Sequence, residues 1–314
     1  MICLAGAGYA GYLYLKFDNA LENAKLPGTP AEVPKPEAAA HKPITILLLG
    51  LDTRAQTGTL NTDVIMTATF NPQTKSATIV SIPRDTYFQP EGYRARKINA
   101  FYSVAVRADK EHAPEQMKTW IGDFLGVTID YVAIVDFKTF EDVIDAFGGI
   151  DVDVDMDMRY VDHADGTDIN LRKGFQHLNG EQALDFVRYR KSNMGTGPSS
   201  DFDRNRRQQQ VLAAIVGKLK SIGGVLKLGE IFTAIGSNIK TDMPKKQVQN
   251  FLKTYIGIKN DHIRYIPLDG KWVSPYTELN PETLNMAKSA LQEELRGEDG
   301  NIAPEETEPP ATAD

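Results

Sequence analysis

The sequence predicts an α/β domain in which a mixed central sheet is covered by helices on both faces. Three observations predict it. ITILLLGL (44–51) is a continuous apolar run, as in a strand buried on both sides. DVIMTATF (63–70) and SATIVSIP (76–83) flank the turn segment NPQTK, the pattern of a β-hairpin. Beyond residue 113, helical and strand periodicities alternate, which sets helices against a sheet.

The elements follow in order. PEQMKTWIGDFLG (114–126) is an amphipathic helix with proline at its start and glycine at its end. YVAIVDF (131–137) is a strand, and TFEDVIDAFGG (139–149) a helix stopped by glycine. IDVDVDMDM (150–158) alternates strictly, so it reads as one half-exposed strand with its aspartates in solvent. Those aspartates lack the glycine and distal glutamate of a calcium loop. EQALDFVRYR (181–190) and residues 203–222 are helical, as are 244–257 and 280–295, with HIRYIPL (262–268) a strand between the last two. Phe137, Phe140, Val143, Ile144 and Phe147 recur at helical spacing. That spacing fits a core, and equally the wall of a lipid pocket.

The chain of 314 residues is 41% hydrophobic and 25% charged, an ordinary globular composition with non-globular ends. Residues 1–25 read as a membrane anchor, because Ile2–Leu15 contains no charge. That run is shorter than the roughly 20 apolar residues of a full span and has no basic flank, as expected of an anchor truncated at its start. Residues 26–43 contain five prolines and read as a semi-rigid tether. Residues 44–296 form the globular domain. Residues 297–314 carry six acids and no base, the composition of a disordered tail.

Charge and side-chain inventory exclude several chemistries. The net charge of −7 opposes nucleic-acid binding, which needs a basic domain to displace phosphate counterions. Cys3 is the only cysteine, so there is no intrachain disulfide and no thiolate zinc site. The five histidines show no metal-ligand spacing. Arginine, aspartate and backbone groups remain.

Four clusters of these stand out. Asp52 and Arg54 follow the first buried strand, where α/β sheets place ligands. Asp63 opens the next strand beside Asn61, and two carboxylates without histidine suit a hard cation such as magnesium. Arg84 follows a strand-ending proline, and Lys97 and Asn99 open a helix, a place that favours phosphate. Alone, surface turns and caps explain these three better. The fourth is the strongest. Residues 188–207 hold Arg188, Arg190, Lys191, Arg204, Arg206 and Arg207 against Asp201 and Asp203, a local charge of +4. Arginine forks match phosphate oxygens, and Arg204 and Arg207 lie one turn apart. The loop Ser192–Ser200 between them is long enough to fold over a ligand.

The order of ILLLGLDTR, NTDVIM, SIPRDTY, KINAFY, residues 129–154, HLNGEQALDFVRYRKS and DFDRNRRQQQ resembles the LytR–CpsA–Psr family of cell-envelope proteins. The resemblance implies an α/β/α domain with a polyprenyl-pyrophosphate pocket. It implies a phosphotransferase that moves a glycopolymer, of teichoic-acid or capsular type, to a peptidoglycan hydroxyl outside the membrane. It implies Asp52 and Asp63 as ligands of magnesium or manganese. Arg54, Arg84, Lys97, Asn99, Arg188, Arg190, Arg204, Arg207 and Gln208 would contact the pyrophosphate. Arg84, Arg188 and Arg190 would also take part in catalysis, and Asp201 is the candidate general base. The family usually has arginine at Asn61 and glycine at Asp203. A lipid pyrophosphatase and a non-catalytic lipid-binding regulator are the competing expectations.

Overall fold

The computed structural model describes residues 19, 21–26, 41–52, 60–163, 166–221, 239–255 and 257–297. The apolar run Ile2–Leu15, Arg54 and the acidic tail beyond Gly297 lie outside them, as does the side chain of Asp201. Among the described residues no helix is long and apolar enough to cross a membrane.

The first half of the domain supplies β1 (Ile44–Asp52), β2 (Asn61–Asn71), β3 (Ser76–Ser81) and a small ribbon of β4 (Tyr87–Phe88) and β5 (Arg96–Lys97). Helices α1 (Phe101–Ala108) and α2 (Ala113–Leu125) follow, then β6 (Tyr131–Asp136) and α3 (Phe137–Ala146). Four short strands come next: β7 (Ile150–Val154), β8 (Met158–Asp162), β9 (Thr167–Leu171) and β10 (Gly174–Leu178). The arginine-bearing helices are α4 (Gly180–Arg188) and α5 (Asp201–Ser221). The chain closes with β11 (Lys240–Thr241), α6 (Lys245–Tyr255), β12 (Ile263–Pro267), β13 (Gly270–Val273), β14 (Tyr276–Leu279) and α7 (Pro281–Arg296).

Six strands form the central sheet in the order β11-β6-β1-β2-β3-β12. β1 pairs parallel with β6 and antiparallel with β2, and β3 pairs parallel with β12. The carboxyl ends of β1, β3, β6 and β12 therefore reach one rim, together with the start of β2. Alternation along β1 explains the two covered faces. Leu47, Leu49 and Leu51 enter the large core with α1, α2 and α7, while Ile44 and Ile46 pack toward Phe251 of α6.

A second core lies between α3, α4, α5 and strands β7 to β10. It holds Ile144, Ile150, Val154, Phe186 and Val211. Here the structure differs from the sequence reading in two ways. The alternating run 150–158 splits between β7 and β8, which belong to separate two-stranded sheets. Asp155 sits at that break and is drawn inward, whereas Asp151 and Asp153 stay exposed. Helix α4 also ends at Arg188, two residues early, because Tyr189 turns to ψ 126° and buries its ring in this core.

The sheet edge also takes in residues 24–26, at the junction that the sequence divides between anchor and tether. Leu26 N donates to Thr241 O at 3.1 Å and Thr241 N to Ala24 O at 2.8 Å. Leu21 and Ala24 are buried.

Helices α3 and α4 cross closely because Gly180 has no side chain. A Cβ there would stand 2.3 Å from Glu141 O. Backbone at that distance cannot yield locally, so Gly180→Ala should cost about 1–3 kcal/mol of stability. Its urea midpoint should fall with an unchanged slope, and a wild-type midpoint would refute this packing.

Candidate functional site: an arginine-lined rim

A β-bulge shapes the rim. Gly50 pairs with Val64 but Leu51 with Thr62, so Asp63 is the extra residue and its side chain is re-aimed. Arg84 Nη1 donates to Asp63 Oδ1 at 2.5 Å. Asp52 ends β1 opposite Asn61, half-buried. The two acids thus stand on neighbouring strand ends. Asn61 occupies the pairing position beside Asp52 and brings no charge.

The segment after β3 is held by its backbone. Thr86 N donates to Pro83 O at 3.0 Å, Asn99 N to Arg84 O at 3.2 Å, and Thr62 Oγ1 to Asn99 O at 3.3 Å. Asp85 is buried, and its Oδ1 lies 2.9 Å from Lys97 Nζ. Arg84 is thereby fixed on a rigid turn at the mouth of the sheet.

Arg190 and Arg204 arrive from the other side, through the loop after α4. Ser199 N donates to Arg190 O at 2.8 Å, and Ser192 Oγ to Arg159 O at 2.7 Å. Tyr189 Oη donates to Gly197 O at 2.6 Å. The loop therefore folds back on itself and onto β8. Arg190 is exposed overall, yet desolvation and then Arg84 pull its pKa below the arginine range. Arg204 is 8% exposed. Desolvation first, then repulsion from Arg84 and Arg190, brings its pKa down to about 9. Asp63 and Asp85 oppose both shifts. Three guanidinium groups thus share one partly dry rim with two carboxylates. Nε of Arg84 is buried with no hydrogen-bond partner among the described residues. Crowded cations of this kind are stabilised by a polyanion with bidentate oxygens.

The other predicted contacts are placed differently. Arg207 is fully buried, with Nε 2.7 Å from Asp155 Oδ1 and Nη2 2.8 Å from Asp155 Oδ2. Nη1 donates to Ser199 Oγ at 2.9 Å. Its fork is filled by protein, so it braces the loop instead of facing the rim. It lies one turn from Arg204 on α5, but its guanidinium is taken by Asp155 and Ser199, whereas Arg204 is set among Arg84, Arg190, Asp63 and Asp85. Arg188 stacks over the Phe137 ring, 4.5 Å from its centroid. Gln208 is half-buried on α5. Arg206 is exposed and pairs with Asp203 and Asp155 at 3.2 and 3.5 Å. Asp203 Oδ2 accepts from Ser200 N and Oγ at 2.9 and 2.7 Å, so that carboxylate caps the start of α5. Desolvation opposes its ionisation, but these donors and the nearby arginines hold its pKa below the usual range.

Among the described residues there is no group of three or more His, Cys, Asp or Glu side chains able to hold a metal. Asp52 and Asp63 are two hard oxygen donors at one rim. A magnesium ion commonly uses one or two carboxylates together with substrate phosphates, so this pair fits such an ion.

The LytR_cpsA_psr family model matches residues 12–295. The chain is a LytR–CpsA–Psr protein. It is 34% identical over 257 residues to the polyisoprenyl-teichoic acid–peptidoglycan teichoic acid transferase TagU of Bacillus mycoides, covering 81% of this chain and 75% of the relative. The crystal structure of B. subtilis TagV superposes with a TM-score of 0.66 at 32% identity, covering 81% of this chain and 98% of TagV. TagT bound to LI-WTA superposes at 0.62 with 26% identity, covering 86% and 96%. This LytR–CpsA–Psr rim is built on the fold those structures share.

Sequence reasoning missed two residues of this region. Asp155 looked like one of four solvent aspartates, and the break of pairing after Val154 alone sets it apart. Asp185 lies within HLNGEQALDFVRYRKS, where nothing in the pattern singles it out. Burial raises its pKa to about 7, against the partial relief of Arg188.

Two outcomes follow from these placements. Arg207→Ala leaves the half-buried Asp155 with only the longer contact to Arg206 and opens a cavity where the fully buried guanidinium stood, which should cost about 3 kcal/mol in urea unfolding. Arg204→Ala removes one of three repelling cations and should cost clearly less, and equal losses would refute the division of roles. For Asp185 the folded pKa lies above the unfolded value. The folded state then binds more protons between about pH 4 and 7, and stability falls as pH rises through that window. Asp185→Asn should match wild type near pH 4 and exceed it at pH 8 in thermal unfolding.

Proposed function

We propose that this protein is a phosphotransferase that moves a wall glycopolymer from a polyprenyl-pyrophosphate carrier to a peptidoglycan hydroxyl. The observation that carries the reading is the convergence of Arg84, Arg190 and Arg204 on one desolvated rim. A pyrophosphate diester supplies the charge and the paired oxygens that such a cluster lacks. The relatives' names support the substrate class, since they are transferases of polyisoprenyl-linked teichoic acid to peptidoglycan. Phe137, Phe140, Val143 and Phe147 of the α3 region are only half-buried, which suits an apolar wall for the prenyl chain. In this reading the apolar N-terminus attaches the chain to the membrane, with residues 44–314 outside the cytoplasm.

The chemistry is displacement at phosphorus. The acceptor hydroxyl attacks the phosphorus that bears the sugar. A new P–O bond forms as the bridging P–O bond breaks, and polyprenyl phosphate leaves with the electron pair. The hydroxyl proton passes to a carboxylate, for which we propose Asp201, one turn before Arg204 on α5. Arg84, Arg190 and Arg204 position the diester and neutralise the charge that spreads over its non-bridging oxygens. Asp52 and Asp63 would hold magnesium or manganese, which supplies further neutralisation when bound.

Transfer from a synthetic lipid-linked sugar to peptidoglycan fragments tests the reading. Arg204→Ala should lose one charge-assisted contact of about 1.5–3 kcal/mol, or one to two decades in catalytic efficiency. Arg190→Lys keeps charge but loses the fork and should also be impaired. Arg206→Ala should stay near wild type. Equal effects of Arg204→Ala and Arg206→Ala would reduce the arginine segment to a solvated face.

A further inference from the structure

The ribbon β13–β14 carries an exposed aromatic group that the rim chemistry does not use. Trp272 is 55% exposed and Val273 40%, while Tyr87 beside them on β4 is 44% exposed. Large apolar side chains in solvent at one place mark a binding surface more often than chance. Three contacts fasten this place to the rim. Thr277 N of β14 donates to Asp85 O at 2.8 Å. Tyr276 meets Tyr87 edge to face, with centroids 5.2 Å apart. Lys97 reaches both ways, 2.9 Å from Asp85 Oδ1 and 5.3 Å from the centre of the Trp272 ring. The two strands approach closely at Gly270, where a Cβ would stand 2.3 Å from Glu278 O.

We infer that Trp272, backed by Lys97 and flanked by the Tyr87–Tyr276 pair, is a stacking site for the acceptor's neutral hexosamine strand. The inference rests on the transferase reading above and extends it to where the second substrate lies. An indole presents a flat apolar face that packs against the C–H face of a pyranose ring, and its N–H serves a sugar hydroxyl. The tie through Asp85 sets that face next to Arg84, where an attacking hydroxyl has to arrive. Charge decides between the two glycans of the reaction. Lys271 and Glu278 face each other across the ribbon and cancel, leaving Trp272, Val273 and Tyr276 uncharged. A phosphate-rich donor polymer needs a cationic track, which the ribbon does not offer. A hexosamine strand needs an aromatic one.

The chain's two tryptophans provide the readout, since Trp120 is 6% exposed and Trp272 is at the surface. The full chain in detergent is titrated with a neutral N-acetylglucosamine tetrasaccharide while emission is followed. The expected result is a saturable change that Trp120→Phe retains and Trp272→Ala loses. It should persist when a short-chain polyprenyl-pyrophosphoryl sugar already saturates the rim. In the transfer assay Trp272→Ala should raise the acceptor KM about tenfold with donor binding intact, and Trp272→Phe should recover part of it. If the donor alone perturbs Trp272 and displaces the tetrasaccharide, the ribbon serves the donor and the inference falls. It falls equally if transfer proceeds and Trp272→Ala keeps the wild-type acceptor KM. If no transfer occurs yet the tetrasaccharide still titrates Trp272, the glycan site stands and the transferase reading fails.

Discussion

The bidentate pair between Arg207 and Asp155 holds α5 against the end of β7, and the rim depends on it. Arg207 also donates to Ser199 in the loop that returns from α4. One side chain thereby joins a helix, a strand end and a loop. The cost of burying its charge is met by the carboxylate's two oxygens and by the rings of Phe186 and Tyr189. With the loop closed in this way, Arg190 and Arg204 approach Arg84 from across the sheet's mouth. Its contact with Ser199 adds to the loop's own hydrogen bonds, Ser199 N to Arg190 O and Tyr189 Oη to Gly197 O, in bringing together two arginine segments that residues 191–203 separate.

That arrangement leaves the rim with fewer acids than arginines. Two arginines of this region are paired with acids: Arg207 with Asp155, and Arg206 with Asp203 and, at longer range, Asp155. The rim arginines share Asp63 and Asp85 among three, and Asp85 is already engaged by Lys97. Excess positive charge at low dielectric is unfavourable until an anion arrives. The bulge at Asp63 and the backbone-bonded turn at Arg84 shape the sheet side of the rim.

The aromatic ribbon extends the same design. Its backbone is bonded to the turn that presents Asp85, so it moves with the rim and not independently of it. In the proposed reading, a pyrophosphate site and a sugar-stacking surface on one support fix the distance between two reactants, and positioning is a main contribution an enzyme makes to phosphoryl transfer.

Much of the fold was legible in the chain. The apolar run 44–51, the hairpin around NPQTK and the proline- and glycine-bounded helices specify their own backbone geometry through local periodicity and turn chemistry. The grouping of chemistry-bearing residues was legible too, since Asp52, Asp63 and Arg84 sit at strand ends that any sheet of this kind brings to one rim. What periodicity cannot encode is which of several like residues meets which partner. Arg204 and Arg207 look equivalent one turn apart, and Asp151, Asp153, Asp155 and Asp157 look equivalent on an alternating run. Only the tertiary structure paired Arg207 with Asp155 and set Arg204 beside Arg84 and Arg190. Only the break between β7 and β8 turned Asp155 inward. Those choices are set by contacts between segments about fifty residues apart, where burial decides whether a charge must be paired within the protein or left for a ligand.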